Sequence, residues 1–513
     1  MTPTRAPLYP ERIEILEDRI APAGVVTILL NKADVSLVGD GADNDVTLTA
    51  TGTGAYFLTG NNGTMIALGN NPNATVQGID VILGNLSVAL GGGSDSFTLN
   101  GVTLPHNLTL TDLAGNNTVT VSGTTNIGGK VSLKFGPGKD LIQGAPTSFH
   151  VGGDLLISGG DGNNDYEVNG NAISIGGNLT VTGGVNGDIL LLKSKTLTIG
   201  KNVSLAPGAG QGDMELSPTS ALTIGGGVTL KGSLAPGAGA ILNLGGNDLL
   251  TIGKGITFTG SASSDLLELG GNDLEIHGAV SLSGGGDTKQ IILGAGHGSI
   301  LGALNVNAAK GKALLTGSSG IAITGKTTIT GGPAGTFIDL GGPIDFGGGL
   351  AISDATTAAN ANVFVRLSGS GGGMIIGGSL SVKIVKPATN LGKFTLQGLL
   401  LAGPASIVTG AGNDTVTIDQ VESYGTFTLD TGAGTDTVNI ERSQQANLTH
   451  FAKAVVIKLG AGDDHLNIGS AMAGDGTGFL SPVASLFDGG PGVDMIAIDP
   501  QTAFLKPAVL IGF

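Results

Sequence analysis

Along most of this chain apolar and polar residues alternate in short bursts, and the bursts return at a nearly constant step. In Asn178-Leu-Thr-Val-Thr182 every second side chain is apolar; Gly183-Gly184 interrupts, Asp188-Ile-Leu-Leu-Leu192 resumes, and Leu197-Thr-Ile-Gly200 closes the unit. A period of two marks an extended strand with one covered face, so this unit predicts three short strands. Leu179, Val181, Leu197 and Ile199 share the covered face, and Thr180, Thr182 and Thr198 point away from it. Equivalent positions recur at Leu86, Leu108, Val131, Leu155, Leu179, Val203, Val228, Ile256, Val280, Leu304, Thr327 and Leu350, in steps of 22 to 28 residues.

A unit of about 24 residues cannot bury its own apolar side, so it must stack on copies of itself. The predicted fold is all-β: a parallel β-helix, or β-solenoid, with about 24 residues and three short strands per coil. The preference of parallel crossovers makes right-handed winding the expectation. Leu179 should sit over Val203 and Val181 over Leu205, forming apolar columns along the rod. With coils about 4.8 Å apart, roughly 20 of them would extend on the order of 95 Å. Glycine pairs belong at the corners. Asn85, Asn107, Asn178 and Asn202 recur at one corner, where stacked amides can form a hydrogen-bonded ladder.

Composition supports that picture. Of 513 residues 93 are glycine, while aromatics make up 4% and charged residues 12%, which suits many tight turns better than a broad globular core. Hydrophobic residues reach 40%, enough to exclude disorder. A formal charge of −16 excludes a nucleic-acid partner, because phosphate binding needs clustered Lys and Arg. No apolar run is long enough to span a membrane as a helix. With no cysteine there is neither a disulfide framework nor a thiolate site, as expected of an exported bacterial protein.

Three segments follow. Residues 1–24 form an N-terminal sorting or capping segment. Within it, residues 10–23 place Ile13, Leu16 and Ile20 on one face of a short helix between Pro10 and Pro22. It lacks the apolar centre of a secretory signal. Residues 25–400 are solenoid, and residues 401–513 continue it with acidic glycine turns and a C-terminal cap at Phe504–Phe513.

The stretch Glu17-Asp18-Arg19-Ile20-Ala21-Pro22-Ala23 resembles the Leu-Glu-Asp-Arg-x-x-Pro-Ala segment of large exported planctomycete-type proteins, which implies export or surface sorting. Phrases such as Leu197-Thr-Ile-Gly-Lys-Asn-Val-Ser-Leu205 are similar to those of bacterial β-strand-repeat surface proteins and haemagglutinin-type adhesins. That likeness implies attachment or a surface coat.

Four phrases with the pattern Gly-x-Gly-x-Asp-x-apolar begin at Gly410, Gly432, Gly460 and Gly490. They resemble the calcium-binding repeat of RTX proteins, whose glycines bend a loop while carbonyls and the aspartate ligate the ion. The resemblance makes Asp414, Asp436, Asp463, Asp464 and Asp494 candidate calcium ligands, with Asp95, Asp140 and Asp165 in looser versions. The aspartates stand 22, 28 and 30 residues apart rather than nine, so a full calcium roll is not expected.

Catalytic motifs are weak. Gly320-Ile-Ala-Ile-Thr-Gly-Lys-Thr327 matches the Walker A pattern, but Ile321-Ala-Ile323 alternates like a strand and no helix pattern follows. The six histidines show no ligand spacing, and His465 beside Asp463 and Asp464 reads as a solvent-facing turn residue. The expectation is a non-enzymatic, secreted or cell-surface structural rod, adhesin-like, with no membrane span. Its partners would be surface polysaccharide, other surface proteins, or further copies stacked end to end or side by side. The alternative is a β-helix polysaccharide lyase or hydrolase, which needs three or more carboxylates converging in a cleft.

Overall fold

The computed structural model describes residues 24–513 apart from positions 53, 70, 113, 234–236, 246–247, 295, 318–319, 360, 370–372, 442–448 and 470–476. The helix expected over residues 10–23 lies outside the described residues. Everything described is strand, turn or loop: parallel strands stack into a β-solenoid of about 17 turns with some 24 residues per turn.

The expected register is present. Leu179 pairs with Val203 and Val181 with Leu205, and the column from Leu86 to Leu350 runs through every position named above. It continues through Leu380, Ala405, Phe427 and Val455. Each turn carries strands on three faces, and in some turns the second and third strands fuse round their corner, as in Ile189–Ile199. Inward residues along these strands are buried, so one apolar cluster runs from Val26 to Phe487. The Walker-like stretch is a strand, Gly320–Ile323, followed across a corner by another, Thr327–Thr330.

The N-terminal end departs from the repeat. Eight strands open the described chain: β1 (Val25–Asn31), β2 (Asp34–Val38), β3 (Asp45–Ala50), β4 (Tyr56–Gly60), β5 (Met65–Leu68), β6 (Asn71–Ala74), β7 (Val76–Ile79) and β8 (Leu86–Ala89). Here β1 pairs antiparallel with β2, β3 with β4, β4 with β7, and β5 with β6. Regular winding starts at β8, which lies parallel to β2. Because the first strands fold back as hairpins, the turns number about 17 and not roughly 20. At ~4.8 Å per turn the stack is about 80 Å long.

At the other end the segment expected to cap the rod is itself the last rung. Ala503–Phe504 and Val509–Ile511 pair in parallel with the strands before them. Phe504 stacks on Phe479 with ring centroids 4.7 Å apart, at the end of an aromatic interior that includes Phe427, Phe451 and Phe487.

Candidate functional site

The chemistry of this molecule concentrates at the corner that leads into the second face. There one inward position per turn forms a single file: Asn44, Asp95, Asn117, Asp140, Asn164, Asp188, Gly212, Ala240, Asp265, Lys289, Ala313, Thr336, Val363, Gly392, Asp414, Asp436, Asp464 and Asp494. Each lies two residues before an inward apolar side chain, buried in every turn but the last, as Asp414 does before Val416, so the alternation of the strand turns it inward.

Polar members of the file satisfy the backbone of the turn below. In the N-terminal stretch the Oδ1 atoms of Asp95, Asn117, Asp140, Asn164 and Asp188 accept the amide hydrogens of Asn44, Asp95, Asn117, Asp140 and Asn164, at 2.6 to 3.2 Å. In the C-terminal stretch the Oδ1 atoms of Asp414, Asp436, Asp464 and Asp494 accept from Gly392, Asp414, Asp436 and Asp464 at 2.7 to 2.9 Å. The second carboxylate oxygens of Asp95, Asp140, Asp188, Asp436, Asp464 and Asp494 are buried and find no partner among the described residues. Gly183 makes room for one of them: a Cβ there would lie 1.9 Å from the Asp188 Oδ2.

Two lysines neutralise the file locally. Lys289 Nζ lies 2.8 Å from the Asp265 carboxylate, and Lys386 Nζ lies 2.7 Å from that of Asp414, with all four side chains fully buried. Burial disfavours the charged form and pushes acids of the file up: Asp188 and Asp414 to about 6, Asp436 to about 7, and Asp95, Asp140 and Asp464 in the same direction. Asp112, buried at the end of the neighbouring first-face strand, is pushed up by burial and then by the charge of Asp95. The Lys386 partner works against burial at Asp414.

The structure therefore brings Asp414, Asp436, Asp464 and Asp494 together as a stack one rung apart. It separates Asp463, which is exposed and accepts the Val493 amide at 2.9 Å. Asp95 and Asp140 join the same file, whereas Asp165 is one residue past it on the outer side. His465 opens the strand His465–Ile468 rather than lying in a turn.

The fit to calcium is poor. In the candidate calcium loops the carbonyls of Ala433, Ala461 and Pro491 accept amides from Gly412, Gly434 and Gly462 in the adjacent rung. These loops stack closely through glycines of φ 85 to 98°, and a Cβ on Gly460 would lie 1.5 Å from the Gly432 carbonyl. Among the described residues no three His, Asp or Glu groups are placed to hold a metal.

The expected asparagine ladder is present at another corner. The Asn107 amide donates to Asn85 Oδ1 at 2.9 Å and that of Asn202 to Asn178 Oδ1 at 3.3 Å. Sequence reasoning missed Asn44, Asn117, Asn164, Asp188, Asp265, Lys289 and Lys386, although for the first five the parity of the strand that follows is a usable signal. The chain matches no protein-family model, no curated protein and no solved structure.

Proposed function

We propose that this protein is a non-enzymatic structural rod that works outside the cell or on its surface, with an adhesin-like or coat-forming role. The observation that carries the reading is continuity. The apolar columns and the corner file pass from turn to turn, and their acids serve backbone amides rather than a cleft. Buried and amide-bound, Asp140, Asp436 and Asp464 are placed to join turns together, whereas a hydrolase or lyase needs its carboxylates at a substrate.

Absence of cysteine and the Glu17–Ala23 resemblance support export. Among the described residues no helix is long and apolar enough to cross a membrane. The test is cell fractionation with protease added to intact cells. The chain should be found in the envelope or medium and be cut or released by external protease. Retention in the cytoplasm, protected until lysis, would overturn the proposal.

A further inference from the structure

The two lysines buried against carboxyl groups meet them in different geometries. Lys289 Nζ lies 2.8 Å from Oδ2 of Asp265 and donates also to the Ser263 carbonyl at 2.5 Å. The rest of that carboxylate is taken: the Ala240 amide and the Ser261 hydroxyl donate to Oδ1 at 3.0 Å each, and the Ser261 amide to Oδ2 at 2.8 Å. With four donors the group is saturated.

Lys386 faces Asp414 more squarely. Its Nζ lies 2.7 Å from Oδ1 and 2.9 Å from Oδ2, and donates also to the Ala411 carbonyl. A nitrogen that near both oxygens faces the carboxyl carbon between them, and reacting atoms in a near-attack arrangement stand roughly 3–3.5 Å apart. The other polar neighbours of the carboxyl are the Gly392 amide, which donates to Oδ1 at 2.8 Å, and the Thr409 hydroxyl. Two glycines let the backbone close round the pair: a Cβ on Gly392 would lie 2.5 Å from Asp414 Oδ1 and 3.1 Å from Lys386 Cε, and one on Gly412 would lie 3.2 Å from Nζ. Both side chains are fully buried.

We infer that Lys386 and Asp414 condense into an isopeptide bond, a covalent tie between neighbouring turns at the entrance to the four-aspartate stretch. The ammonium first passes a proton to Oδ2, because burial favours a neutral amine and acid over two ions. The Nζ lone pair then attacks Cγ, and the negative charge that develops on Oδ1 is met by the Gly392 N–H. Oδ2 leaves as water, carrying the acid proton and one proton from the nitrogen, while the other stays on the new amide. The ammonium and carboxylate thus become an amide and one water, with no oxidant or co-reactant. A site closed to solvent protects the product from hydrolysis. Lys386 follows the strand Leu380–Val385 and Asp414 opens the strand Asp414–Ser423, so tension along the chain would bypass the segment between them.

The cross-link goes beyond the proposed rod role and holds wherever the protein resides. Its test is mass spectrometry of the purified full chain, denatured and digested. The peptides that carry Lys386 and Asp414 should emerge joined, about 18 Da below their summed mass, the loss of one water. Those that carry Lys289 and Asp265 should emerge separate. Lys386→Met and Asp414→Ala should each abolish the loss of water, and if neither variant folds the wild-type digest decides alone. Separate, unaltered peptides for Lys386 and Asp414 in the wild type overturn the inference. So does a loss of water that persists in Lys386→Met, or a cross-link found at Lys289 and Asp265 instead.

Discussion

Between residues 44 and 188 the corner file alternates amide and acid on six successive turns, whereas between 414 and 494 four turns in a row carry aspartate. Both stretches make the same bond, a side-chain oxygen accepting the amide of the turn below. They differ in how they handle charge. Two unit charges one rung apart repel by roughly 3–4 kcal/mol at an effective dielectric constant of 20, and two rungs apart by about half that. Alternation with asparagine provides the larger spacing. The C-terminal stretch lacks it, has one lysine at its near end, and has Asp436 pushed up to about 7 by burial first and then by the charges of Asp414 and Asp464. A column of buried acceptors can thus be kept by diluting the acids or by letting some of them hold protons.

The largest expected break in this comparison is Lys386→Met. It leaves Asp414 buried without its counter-ion and should cost about 3–5 kcal/mol. Because each turn touches only its neighbours, hydrogen exchange should show the loss in the turns around 392–440 and leave those before residue 190 unchanged. Uniform loss along the rod would refute the nearest-neighbour picture.

Asn117→Asp converts the alternating stretch into three acids in a row and removes the amide that donates to Ala114 O at 3.2 Å and Gly115 O at 3.4 Å. It should destabilise by about 1–3 kcal/mol at neutral pH, measured by calorimetry, with a smaller effect near pH 4. An effect equal at the two pH values would point to packing instead of charge.

The pH dependence follows from the sign of the shifts. A carboxyl whose folded value lies above its unfolded one, near 3.9, stabilises fully below that unfolded value and loses its contribution as pH rises through the folded value. Amide protection in residues 414–468 should therefore be greatest near pH 4 and fall until about pH 7, the value at Asp436. Asp436→Asn should flatten that slope and raise the melting temperature at pH 8. A C-terminal stretch that grows more stable from pH 4 to 7 would contradict the assignment.

The smallest effect concerns calcium. Since the loop carbonyls are used between rungs, melts in millimolar calcium and in chelator should superimpose. A clear rise with calcium would show that the unpartnered carboxylate oxygens accept an ion.

Much of this is readable in the residue pattern alone. The step from Leu179 to Val203 and the period-two alternation within each burst lead to stacked parallel rungs, because a unit of two dozen residues buries its apolar side only against copies of itself. The glycine-rich setting of Asp414, Asp436, Asp464 and Asp494 marks them as loop residues. The same alternation, applied to Asp414 and Val416, turns them inward and sets Asp463 apart.

The sequence by itself determined the repeat, the strand faces and the apolar columns, since these follow from local periodicity and a nearly constant step. Only the tertiary structure decided the rest. That Asn44 lies under Asp95 and that Lys386 reaches Asp414 depend on contacts between residues 51 and 28 positions apart, and the fold-back of the first strands depends on which neighbours they pair with. Such contacts are set by the exact length of each corner loop, and no single turn records the length of its neighbours.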